Sequence, residues 1–266
     1  MRQADKFLLL KESGRIGEQL TRADTRRTLW VMCNHYRNIP GAQQLLPTWR
    51  EFISWSTQVT PAPDMAVADD VWPRREAAVV RQCTQAGGAI IDHMIWGVPL
   101  SLPGKRAGST VTKHITNVRN LNSPFWRSML AKPEQRCLVP FSSFAEPQIG
   151  AGRAEHWFHI KDRPVAAFAG FWRWAAAAGP AAKQASPDDL LNNLEDAGQS
   201  ESAKPAGPIK VFAFLTCAPN PLVAPLHPKA MPVILHEANY QAWLTGDWKD
   251  AQALATPFPS QLMTVE

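Results

Sequence analysis

From Met32 onward the chain is a succession of short apolar runs broken by Pro, Asn or Gly, with 23 prolines supplying much of the punctuation. Proline removes a backbone donor and fixes φ, so long helices and unbroken central strands are disfavoured over most of the sequence. Runs rich in β-branched and aromatic residues predict strands at 30–37, 77–82, 89–98, 136–145, 156–161, 165–174, 210–217 and 231–235. Helical punctuation is sparser. It predicts helices at 43–56, at 123–131 with Ser123 as N-cap and Pro124 in the first helical position, and at 237–244. Strands alternating with so few helices predict an α+β fold built on a curved, mostly antiparallel sheet.

The chain has 266 residues, 45% of them apolar, enough for one domain with a sizeable core. Residues 1–31 carry charges of both signs, one stretch (6–20) that could form a weak helix, and no recognisable site. They read as an extension, a start placed too early or a leader that is removed, and 32–266 reads as the domain. Between Ala175 and Pro208 the composition shifts to Ala, Gly, Pro, Asp, Asn and Ser without an aromatic residue, which predicts a disordered insertion at about 175–208. No apolar run is long enough to span a bilayer, and Phe7–Leu10 is too short for a signal peptide, so a cytoplasmic protein is expected. The net charge of +5 is compatible with nucleic acid.

Four cysteines, Cys33, Cys83, Cys137 and Cys217, form no C-x-x-C pair, which argues against a zinc knuckle or a disulfide framework. Cys137 in RCLVPF and Cys217 in FAFLTC sit in strand-like contexts expected to bury inert thiols. Cys33 stands apart, directly after Met32. If it became the N-terminal residue it would be a 1,2-aminothiol, whose α-amine titrates near ~8 and condenses with aldehydes.

Five segments then appear in a fixed order. They are Met32-Cys33-Asn34, Trp96-Gly97, the TNVRN stretch from Thr116 to Asn120, the RCLVPFSSFAE stretch from Arg136 to Glu146, and HPKAMPVIL from His227. In this order they resemble the SOS-response-associated peptidase (SRAP) family, the abasic-site processing proteins. AFAGFW (Ala167–Trp172) and FAFLT (Phe212–Thr216) extend the likeness over nearly all of 32–266. The resemblance implies a single domain with a barrel-like core, working without cofactor or metal. It further implies that the residues before Cys33 are removed autocatalytically, and that Cys33 then forms a thiazolidine crosslink with the ring-opened sugar of an abasic site in single-stranded DNA.

Carried over residue by residue, Cys33 is the nucleophile, Glu146 the catalytic carboxyl, His227 the proton shuttle and Asn117 the group that holds amine and sugar. Arg119 corresponds to a phosphate-contacting arginine, and Arg74 and Arg75 are further candidates for the DNA backbone. The other six histidines match no family position. Pro147 departs from the pattern, since an aromatic residue commonly follows the glutamate. Two other readings remain open at this point: a cysteine peptidase acting in trans with Cys33, His227 and Asn117 or Glu146, and a single-stranded DNA-binding module without chemistry. The expected partner is single-stranded DNA containing abasic sites, with no membrane, and the expected state is a monomer.

Overall fold

The computed structural model describes residues 33–38, 41–57, 70–106, 108–148, 151–176 and 207–266, all within the unit Met32–Glu266. The extension 1–31 with its expected helix, the first residues of the strand expected at 30–37, and most of the insertion expected at 175–208 lie outside the described residues.

The elements in chain order are β1 (His35–Arg37), α1 (Gly41–Thr48), β2 (Asp70–Val71), β3 (Glu76–Cys83), β4 (Gly88–Trp96), β5 (Val98–Pro103), β6 (Thr110–Ile115), β7 (Asn117–Val118) and α2 (Pro124–Leu130). Then come β8 (Arg136–Phe141), β9 (Ser143–Pro147), β10 (Glu155–Ile160), β11 (Ala166–Ala175), β12 (Ile209–Cys217), β13 (Met231–Pro232), β14 (Ile234–Leu235), α3 (Tyr240–Thr245), α4 (Trp248–Ala253) and β15 (Met263–Val265). The fold is α+β with a barrel-like core, as the sequence predicts. Its strands close a ring in which β3 pairs with β4 and β8, β8 with β11, and β11 with β12, all antiparallel, while β12 returns to β4 in parallel. A second antiparallel sheet runs in the order β15-β10-β9-β1-β2.

Aromatic packing fills the ring. Phe168 stacks on Phe141 with centroids 3.8 Å apart and on Phe214 at 4.6 Å, and Tyr36 of β1 meets Trp96 and Phe168 edge-on. Because side chains alternate along a strand, burying Tyr36 against this core turns His35 and Arg37 to the opposite face of β1. β11 is small where its neighbours press closest. A Cβ on Gly170 would come within 2.7 Å of Val139 Cγ2 and 2.9 Å of the Cys137 sulfur.

Several predicted elements break where backbone chemistry changes. The run 89–98 divides at Gly97, whose φ of 125° turns the chain while its amide donates to the Phe212 carbonyl at 2.8 Å. The run 136–145 divides at Ser142, whose amide donates to the Arg37 carbonyl at 2.7 Å. That corner passes the chain from the ring into the second sheet and so delivers Glu146 beside β1. The helix predicted at 43–56 ends at Thr48, one residue past Pro47, and the chain then winds through turns until Trp55 bridges to Ala89. The 237–244 helix begins as a 3-10 turn and becomes α only at Tyr240.

One ionic knot pins three ring strands together. Asp92 of β4 accepts from Arg81 of β3 at 2.7 Å and from Lys210 of β12 at 2.6 Å. Burial alone would raise its carboxyl pKa, but the bonds from Lys210 and Arg81 more than reverse this and hold it below the ordinary value. The stabilisation is therefore complete above the ordinary Asp value of about 3.9 and is lost as pH falls through the depressed one. Asp92→Asn should cost about 2–3 kcal/mol in urea unfolding at neutral pH, toward the lower end for a pair that keeps some solvent contact. The difference from wild type should shrink in acid.

Candidate active site

The sheet corner at Ser142 and the start of β1 bring Glu146 and Cys33 together. Pairing of β1 with β9 sets His35 opposite Ala145, so the residues just before His35 lie alongside the end of β9. Both Cys33 and Glu146 are 1% exposed. The Cys33 thiol reaches the His35 carbonyl at 3.7 Å, and Cys33 gives a backbone hydrogen bond to the Glu146 carboxyl. This places the carboxyl at the nitrogen that would become the α-amine.

Burial raises the Glu146 pKa well above the ordinary carboxylate value, with only partial relief from the Cys33 backbone bond. Its Oε2 has no hydrogen-bond partner among the described residues. Desolvation likewise pushes the Cys33 thiol up, reinforced by the nearby Glu146 charge. Burial of both groups therefore works against a thiolate at Cys33 and against an ionised carboxyl at Glu146.

Asn117 is positioned by β7, which pairs in parallel with β12 opposite Phe214. Its amide nitrogen donates to the Cys33 carbonyl at 2.9 Å and to Thr116 Oγ1 at 3.0 Å, and Thr116 in turn donates to Asn34 Oδ1 at 3.3 Å. Asn117 Oδ1 is buried without a partner among the described residues, an acceptor left free for a substrate hydroxyl or amine.

His227 follows a turn in which its own amide donates to the Val223 carbonyl at 2.8 Å. Its ring Nδ1 lies 2.8 Å from the Ala230 carbonyl, and since a carbonyl can only accept, Nδ1 carries the hydrogen. Nε2 is thereby left buried and unpartnered among the described residues. Glu146 Oε2 is 3.6 Å from Nδ1. Arg119 is exposed and donates to the Lys229 carbonyl, which ties the TNVRN segment to the turn that carries His227.

The four predicted catalytic residues thus meet, and Arg119 stands at their margin. Arg74 and Arg75 touch none of the four and stand on the exposed turn between β2 and β3, where Arg74 takes φ 67° and its amide donates to the Trp96 carbonyl at 2.7 Å. Among the described residues no group of His, Cys, Asp or Glu side chains could hold a metal ion, and no helix is long and apolar enough to cross a membrane.

The profile of the SOS response associated peptidase (SRAP) family matches residues 32–266. The chain belongs to that family. The SRAP fold of this chain is similar to that of a protein from Bordetella bronchiseptica, at 23% identity and a TM-score of 0.59, covering 88% of this chain and 98% of that one. A protein from Bacteroides thetaiotaomicron gives 18% identity and a TM-score of 0.59, covering 88% and 90%. A phage-related protein from Bordetella bronchiseptica gives 15% and 0.51, covering 89% and 93%. At these identities the likeness concerns the fold alone. No curated protein matches the sequence.

Two further residues, Thr116 and His35, stand beside the candidate site. Thr116 was not singled out, although it links Asn117 to Asn34. His35 matches no family position, yet it lies two residues after Cys33 and its ring is held by Glu155 and Asp70. Of the thiols, Cys137 and Cys217 are buried as expected, with Cys217 pushed up to about 11 by desolvation, whereas Cys83 is half-buried and reaches Gln85.

Proposed function

We propose that this SRAP protein caps abasic sites in single-stranded DNA by bonding covalently through Cys33, after the residues preceding it have been removed. The observation that carries this reading is the convergence of Cys33, Glu146, Asn117 and His227 on one buried corner of the sheet. Hydrolysis of the 32–33 peptide bond consumes one water and frees the Cys33 α-amine, with Glu146 beside the nitrogen to move its proton. The amine adds to the aldehyde of the ring-opened sugar and loses water to give a Schiff base. The thiol then adds across that C=N bond, sulfur to carbon and proton to nitrogen, and closes a five-membered thiazolidine.

Each surrounding group has a task in this sequence. A protonated Glu146 donates to the sugar ring oxygen as it opens, and its conjugate base later takes a proton back. The free Nε2 of His227 can shuttle that proton, and Asn117 fixes Cys33 by its carbonyl while offering Oδ1 to the sugar. A cysteine peptidase acting in trans fits less well, because that chemistry needs a thiolate whereas burial raises the Cys33 pKa.

The test is intact-mass analysis of protein expressed from Met32, with and without single-stranded DNA bearing one abasic site. The expected product lacks Met32 and gains the mass of the DNA, and Cys33→Ala abolishes that gain. Protein that loses Met32 yet never gains DNA mass would remove the covalent mechanism and leave non-covalent binding.

A further inference from the structure

We propose that Trp72 is a shelf on which one unpaired nucleobase stacks at the edge of the Cys33 site, an assignment that rests on the DNA reading above and deepens it. Trp72 is a large apolar side chain left 45% exposed. Its indole lies nearly parallel to the His35 ring, with centroids 3.7 Å apart and planes 20° apart. One face is thus covered by imidazole, and the exposure belongs largely to the other.

The shelf is rigid from below. His35 Nδ1 is 2.8 Å from Glu155 Oε2 and Nε2 is 2.9 Å from Asp70 Oδ1, so both ring nitrogens are held. Asp70 Oδ1 also accepts from Arg37 Nε at 2.7 Å, and the Arg37 guanidinium lies 3.8 Å over the Trp157 ring. Trp157 meets His35 edge-on at 4.6 Å. A preformed aromatic surface loses little freedom on binding, which favours stacking.

Charge and position select the occupant. Asp70 and Glu155 are engaged by Arg37 and His35, while Arg74 and Arg75, two and three residues beyond Trp72, are exposed and join no ion pair among the described residues. An open indole face next to unpaired arginines suits a ligand with flat π-faces strung on phosphates, which is single-stranded nucleic acid. His35, on whose ring Trp72 stacks, is two residues from Cys33 and places the shelf beside that site.

The test uses an oligonucleotide carrying a tetrahydrofuran abasic analogue, which has no aldehyde, with 2-aminopurine beside it. Wild-type protein should quench the 2-aminopurine on binding. Trp72→Ala should abolish the quenching and weaken binding about five- to 150-fold, the range for loss of one stacked base. Trp72→Phe should restore most of both, and Trp174→Ala, at another exposed tryptophan, should change neither. With a true abasic site at subsaturating DNA, Trp72→Ala should crosslink more slowly than wild type, in proportion to its weaker binding, whereas Trp174→Ala should not. Undiminished binding and quenching in Trp72→Ala would overturn the shelf while intact crosslinking left the proposed function standing. Failure of wild-type protein to bind the analogue would also overturn the shelf. Binding without crosslinking to the true abasic site would sink the covalent reading alone, and Trp72→Ala would still decide the shelf.

Discussion

Glu146→Gln should give a protein that is more stable than wild type at neutral pH and severely impaired in chemistry. The folded protein holds the Glu146 proton to a higher pH than the unfolded chain does. As pH rises from the ordinary Glu value near 4.3, the unfolded state ionises first and stability falls until the folded pKa is passed. Glutamine removes that cost and should add about 0.5–2 kcal/mol, in the usual range for relief of a strained functional site. Wild type and variant should differ little in urea unfolding at pH 4 and diverge at pH 7. The same substitution removes the carboxyl that the Cys33 nitrogen bonds, so on the proposed function loss of Met32 and crosslinking should each slow by about 10²–10⁴-fold. Equal rates for variant and wild type would exclude proton transfer by Glu146.

Arg136→Ala should be the most damaging single change to the fold. Arg136 opens β8 fully buried, with its guanidinium donating to the carbonyls of Gly246 and Asp247, just past α3, and lying 5.7 Å from the Trp243 ring. Desolvation lowers its pKa, so the charge is held at a cost that the carbonyls offset. Alanine leaves those acceptors unpaired and opens a cavity, for a loss of about 3–5 kcal/mol. Thermal melts should fall by about 10 °C for a domain of this size. A loss below 1 kcal/mol would mean that water reaches the freed carbonyls.

The candidate site residues could be picked out because each lies in a short segment whose order along the chain carried the resemblance, and four such segments do meet in space. Strand cores such as β3, β11 and β12 were legible for another reason: buried on most sides, they are nearly continuous apolar runs. The β5–β6 hairpin was not, since TVTKHI is exposed almost throughout and has no apolar face to announce it. β7 is two residues long and owes its existence to β12, a contact no local pattern encodes. Corners such as Ser142 were equally hidden, because the sequence keeps its apolar character while the strand changes partners. His35 and Trp72 escaped notice because they meet by direct ring stacking between distant positions, and the carboxyls that hold the His35 ring, Asp70 and Glu155, are 35 and 120 residues away from it.

Asn117 grips Cys33 by its carbonyl oxygen, the one polar atom of that residue that the proposed chemistry leaves untouched. The nitrogen and sulfur change bonds, but the handle is the same in reactant, Schiff base and closed ring. On the proposed function that grip holds Cys33 in one place through every step, so one protein molecule would stay tied to each lesion for as long as the ring is closed, and coverage would follow the protein's abundance.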